Sequence, residues 1–186
     1  WMIASLLQMN LLVYCNAYLN LNTLETSVVW AIVIVGIALG CILAGVINKQ
    51  RVELGISVLG TIGLAIFTSL IAFSEPSIKT FCVYLFFGAM SAGVFKVPLN
   101  SWMQERCSTR DLSNRLAYLN MIIFIIVLLS SVIFALLTFN SDSIGIFKFI
   151  AYTSILLALI MTLKNPSELI RIIVFFVART CYKMNI

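Results

Sequence analysis

Apolar residues in this chain neither alternate nor keep to one helical face. They run together in long stretches separated by short polar gaps. A stretch of about 20 apolar residues, wound as a helix, crosses the roughly 30 Å hydrocarbon core of a bilayer. Six such stretches are legible: Trp1 to about Leu19, Val28 to Ile47, Leu54 to Phe73, about Ile78 to Met103, about Leu116 to Phe139, and Ile144 to Leu163. The last two are parted only by Asn140-Ser141-Asp142-Ser143, a turn-rich tetrapeptide. Asn165-Pro166-Ser167 then ends the sixth, because the residue before a proline leaves the helical region. The pattern predicts an all-α polytopic membrane protein, with a membrane domain over 1–163 and a linker over 164–186.

Composition excludes the soluble alternative. The chain is 62% hydrophobic and 10% charged. A soluble domain carries about 25% charged residues, because its surface must meet water. The net charge of +5 would point to nucleic acid in a soluble protein, but here the cations occupy the gaps between apolar runs. Nine of them (Lys49, Arg51, Arg106, Arg110, Arg115, Lys164, Arg171, Arg179 and Lys183) fall on one side of the alternating spans. Lys79 and Lys148 fall on the other, and Lys96 lies within a span. Positive charge stays in the cytoplasm, so the first span runs outward and the tail is cytoplasmic. The chain opens at Trp1 and its first basic residue is Lys49, so it shows no positive region of a signal peptide. The native chain is therefore expected to start upstream.

Little here can carry covalent chemistry. The absence of histidine removes Ser-His-Asp and Cys-His catalysis and any His-containing metal site. The five cysteines show no regular spacing and read as small apolar residues within spans. No catalytic residue, metal or cofactor is expected in this segment.

Polar groups inside spans are costly and often functional. Lys96 stands about 12 Å from the charged loop after the fourth span, at 1.5 Å per residue. It reads either as a cation facing a polar cavity or as a lysine snorkelling to the headgroups. Pro98 removes the donor for the carbonyl of Val94, and Gly93 adds freedom one turn earlier, which gives either a hinge or a static kink. Asn10, Tyr14 and Tyr18 recur every four residues and share a face, a candidate cavity lining, while Asn16 and Asn20 fall elsewhere. Gly36 and Gly40, continued by Gly45, and Gly88, Ala89, Ala92 and Gly93 mark close helix contacts. The sixth span has no glycine after Gly145, so it is expected to face lipid more than protein. Ser108 with Asp111 resembles a capping box. In the tail, Glu168, Arg171, Arg179, Tyr182 and Lys183 share one arc, and Leu169, Ile172, Ile173 and Phe176 share the other. That pattern suits a helix lying in the membrane interface.

The stretch Val97-Pro98-Leu99-Asn100-Ser101-Trp102-Met103-Gln104-Glu105-Arg106 resembles the signature of bacterial lysophospholipid transporters in the major facilitator superfamily. Asn114-Arg115, Gly36 to Gly40 and Val52 to Gly55 resemble it further. The resemblance implies a twelve-span protein whose second six-helix half is this chain, lodged in the bacterial inner membrane. Its partners would be the N-terminal half, membrane lipids and a lysophospholipid or phospholipid substrate, moved by alternating access. It places Asn10, Tyr14, Tyr18, Lys96 and Asn100 at the substrate cavity and Gly93 and Pro98 at a hinge. Gln104, Glu105, Arg106 and Arg115 fall in a cytoplasmic loop motif. The chain departs from the family at Lys96, where an apolar residue is usual, and at Asn48-Lys49, where the superfamily loop has aspartate. Some members continue into a cytoplasmic acyltransferase, so a membrane module of a bifunctional re-acylating protein is the alternative. A transporter of another amphiphile and a non-transporting scaffold are further rivals.

The charge split makes a direct prediction. In cysteine-accessibility labelling, cysteines placed at Arg51, Arg110 and Arg179 react only from the cytoplasm, and those at Thr23 and Asp142 only from outside. Labelling of position 110 from outside overturns the topology.

Overall fold

The computed structural model describes residues 1–47, 54–74, 76–105, 112–164 and 166. They form six helices: α1 (Met2–Ala17), α2 (Thr23–Ile47), α3 (Leu54–Ser74), α4 (Ile78–Glu105), α5 (Leu112–Asn140) and α6 (Ser143–Lys164). Helices α2 to α6 are each long and apolar enough to cross a membrane. At 16 residues α1 is about 24 Å long, shorter than the hydrocarbon core. The protein is an all-helical, multi-pass membrane protein.

Helix starts are where the hydropathy pattern and the structure part. Helix α2 begins at Thr23, five residues before the apolar run at Val28. The Glu25 carboxylate accepts the Asn22 N–H at 2.9 Å, one half of a capping box, and Thr26 and Ser27 hydroxyls donate to carbonyls one turn back. Polar residues thus start a helix that hydropathy alone dates from its first apolar side chain. Helix α5 likewise starts at Leu112 rather than Leu116, with a polar first turn. Between α1 and α2 the chain turns through Asn20, whose φ of 49° is a left-handed conformation that asparagine tolerates. The Ser108–Asp111 capping box, Arg106 and the tail from Ser167 to Ile186 lie outside the described residues.

The best-packed part is α4 wedged between α2 and α3. Without side chains, glycines let backbones touch. A Cβ on Gly36 would sit 2.7 Å from the Phe86 carbonyl oxygen, and one on Gly40 would fall on the carbonyl of Met90. From the opposite side, a Cβ on Gly93 would lie 2.5 Å from the Ile37 carbonyl oxygen. These contacts advance together along both helices, so α2 and α4 run parallel. The third glycine of the expected α2 series, Gly45, meets nothing within 4 Å and takes no part. On α3, Gly60 approaches the backbone of Phe95, and Phe67 lies against Gly88, so α3 runs antiparallel to α4.

The other half repeats the arrangement loosely. Helix α1 packs against α5 and α6, and α3 packs against α6. Exchanging every helix with the one three places along maps the main contacts onto one another: α4 with α2 and α3 becomes α1 with α5 and α6. Tyr14 meets Phe81 at 5.1 Å, while at the other end of both helices Lys96 meets Trp1. Helices α1 and α4 are therefore antiparallel, and the two three-helix units have inverted topology. That relation is carried by packing, and no matching sequence repeat announces it.

Helix α6 packs more closely than its glycine content suggested. Helix α6 buries Ser143, Ile146, Phe147, Ile150, Ala151, Ser154 and Ala158, a stripe at three- and four-residue spacing. Its alanines and serines supply the small surface that glycine supplies in α2. Helix α5 is the exposed one, burying only Ser130 among its described side chains. Hydroxyls throughout are turned onto their own helices, as with Thr61, Thr68, Ser91 and Ser154. That satisfies them where no water is present.

The glycine wedge sets opposite expectations for two substitutions. Gly40→Ala forces backbones apart and lowers stability by about 1–3 kcal/mol. Gly45→Ala meets open space and gains about 0.5–1 kcal/mol of helix propensity. Thermal unfolding in detergent reads both, and equal shifts would refute the wedge.

Candidate functional site

The end of α4 that carries the polar residues is the end where its packing loosens. Up to Phe95 the helix is held on both flanks. Gly93 lies against α2, and the Ser57 hydroxyl of α3 donates to the Phe95 carbonyl at 2.8 Å. That bond falls next to the Val94 carbonyl, which Pro98 leaves without its helical donor. Pro98 is buried and α4 continues through it to Glu105. Beyond it, Leu99, Asn100, Gln104 and Glu105 are all exposed.

Lys96, Asn100 and Gln104 recur every four residues, so they share one face of α4, and all three are exposed. The Lys96 ammonium sits 4.3 Å above the centroid of the ring of Trp1, the N-cap residue of α1. It is thus directed from α4 toward the start of α1. A cation over an exposed indole gains about 0.5–1 kcal/mol, little enough for an anionic ligand to displace it. Arg115, in the first turn of α5, is exposed.

The stripe on α1 is divided by the structure. Asn10 is fully buried and exchanges two hydrogen bonds with the start of α6. Its amide donates to the Ser143 carbonyl at 3.0 Å, and the Ser143 hydroxyl donates to its oxygen at 2.8 Å. Tyr14 is buried in an aromatic cluster, stacked on Tyr18 at 5.3 Å and edge-on to Phe147 at 5.1 Å. Tyr18 is 42% exposed. Asn10 and Tyr14 thus lie in the seam where α1, α4 and α6 meet, and Tyr18 is the open member.

The face of α1 that stays open is a different one. Trp1, Ala4, Gln8, Leu12 and Asn16 are all exposed and follow one another at helical spacing. Gln8 and Asn16 are polar residues on it that the four-residue rhythm of Asn10, Tyr14 and Tyr18 drew attention away from. A glutamine eight residues into an apolar run was the available signal.

A separate groove of about 550 Å³ runs between α3 and α6, from Ile62 to Phe73 on one wall and Ile155 to Thr162 on the other. Its Ser69 and Thr162 hydroxyls are bonded to their own helices, and it carries no charged side chain. The exposed cation and amides are on α1 and α4.

The Asn10–Ser143 exchange is measurable. A double-mutant cycle with Asn10→Leu and Ser143→Ala should return a coupling of about 0.6–1.7 kcal/mol, the range for polar pairs between membrane helices. Strictly additive effects would show that the pair does not join α1 to α6.

No family model, no curated protein and no solved structure matches this chain.

Proposed function

We propose that this chain is one half of a membrane transporter that moves lysophospholipid across the bacterial inner membrane by alternating access. All six helices then act as spans of a major-facilitator-type unit, with the tail in the cytoplasm. The observation that carries the transport reading is the pair of inverted three-helix units. Their equivalent helices, α1 and α4, meet at the Tyr14–Phe81 and Trp1–Lys96 contacts, and the second of these holds an exposed cation. Inverted repeats with a site at their junction are the architecture on which alternating access is built. The substrate class rests on the motif from Val97 to Arg106 and on the chemistry of Lys96, a cation suited to a lipid phosphate.

The packing of α4 supports a place for movement. Helices α2 and α3 clamp it as far as Phe95, and its exposed end begins just past Pro98. Bending there swings Asn100 and Gln104 relative to Lys96 without disturbing the glycine contacts. Gly93 acts as the anchored side of this hinge, and Pro98 as its pivot. The alternative of a membrane module for re-acylation keeps the same site and adds chemistry elsewhere in the protein.

Lys96→Met retains the apolar stem and removes the charge. Losing a charge-assisted contact of roughly 1.5–3 kcal/mol cuts lysophospholipid uptake tenfold or more at unchanged expression. Uptake within about twofold of wild type would remove Lys96 from the substrate path.

A further inference from the structure

We infer that Gln8 is a second substrate contact, on the open face of α1 two turns from the Lys96–Trp1 contact, where it binds a hydroxyl or carbonyl group of the amphiphile. This rests on the transport reading above.

Gln8 is exposed within an apolar helix, and its side-chain amide makes no hydrogen bond among the described residues. An amide facing hydrocarbon with no partner costs about 1–3 kcal/mol, so the face that carries it meets water or a polar ligand. That face is fixed by its neighbours. Trp1, Ala4 and Gln8 follow one another at helical spacing, and Trp1 is the residue under the Lys96 ammonium. Gln8 therefore stands two turns from that contact, about 10 Å further into the membrane.

Helix α4 runs antiparallel, and one turn back from Lys96 on the same face lies Ala92, whose side chain is a single methyl group, while Ala89 is taken up against Gly36 of α2. On α1 the face continues outward through Leu12, 51% exposed, beside Val13, 37% exposed. From the cytoplasmic end this face thus presents a cation, then a neutral amide, then apolar surface. A monoacyl glycerophospholipid has the same order: phosphate, then the glycerol hydroxyl and ester, then the acyl chain. Gln8 supplies both a donor and an acceptor, which suits a hydroxyl and discriminates against a ligand that lacks one.

The test uses the full chain in proteoliposomes. KM is measured for a lysophospholipid with a free glycerol hydroxyl and for its deoxy analogue, in wild type and in Gln8→Leu. Wild type should favour the hydroxyl-bearing lipid about tenfold, the size of one buried hydrogen bond. Gln8→Leu should raise KM for that lipid and leave the deoxy analogue unchanged, so that the preference disappears. A preference that survives in Gln8→Leu overturns the role of Gln8 and leaves the transport reading standing. A wild-type protein that moves neither lipid overturns the transport reading itself. Gln8→Cys gives a readout that does not depend on turnover. A membrane-impermeant maleimide should label it above the background of the native cysteines, and the same lysophospholipid should protect it. Absence of labelling places residue 8 against lipid or another helix and overturns the inference, as does labelling that the lipid fails to block.

Discussion

The close approach of α4 to α2 and α3 is the contact on which the remaining geometry depends. In a bilayer the hydrophobic effect does not press helices together, since lipid is as apolar as leucine. What remains is van der Waals contact, and it grows when nothing projects between backbones. Gly36, Gly40, Gly60 and Gly93 remove the projections at successive levels of one wedge. The wedge sets the rotation of α4, and with it the face on which Lys96, Asn100 and Gln104 appear. The same rotation turns Phe81 toward Tyr14 and Lys96 toward Trp1.

The two inverted units are alike in topology and unlike in tightness. In one, backbones meet through glycine. In the other, α1 is held by aromatic rings and by the Asn10–Ser143 exchange. Side-chain contacts tolerate small shifts that backbone contacts do not, because a ring can change rotamer while a carbonyl cannot. The α2–α3–α4 unit is accordingly the more tightly held and α1 the more adjustable. Pro98 stands three residues past the Phe95 carbonyl that Ser57 bonds, and is itself buried.

The candidate site was legible in part. Lys96 and Pro98 stand out in any reading of the fourth apolar run, because a charge and a missing donor are costly wherever the helix faces. The α1 residues were harder. Asn10, Tyr14 and Tyr18 do share a face, as their spacing requires, but spacing says nothing of what that face meets. In the structure it meets α4 and α6 over most of its length, and the open face carries Gln8 and Asn16. Helix α6 teaches the same lesson through composition. Its lack of glycine suggested lipid exposure, yet Ala151, Ser154 and Ala158 give it a surface small enough to pack.

By itself the sequence determined that the chain lives in a membrane, where its helices are to within a few residues, and which loops carry the positive charge. These follow from properties that each segment holds alone: the cost of moving its side chains into hydrocarbon and the length needed to cross it. Only the tertiary structure decided which face of each helix is buried, that two three-helix units pack as an inverted pair, and that Asn10 joins a seam while Gln8 stays open. Those depend on the rotation and partner of each helix. In an apolar chain no amphipathic face announces either, and contacts between backbones, which carry no side-chain signal beyond glycine, settle both.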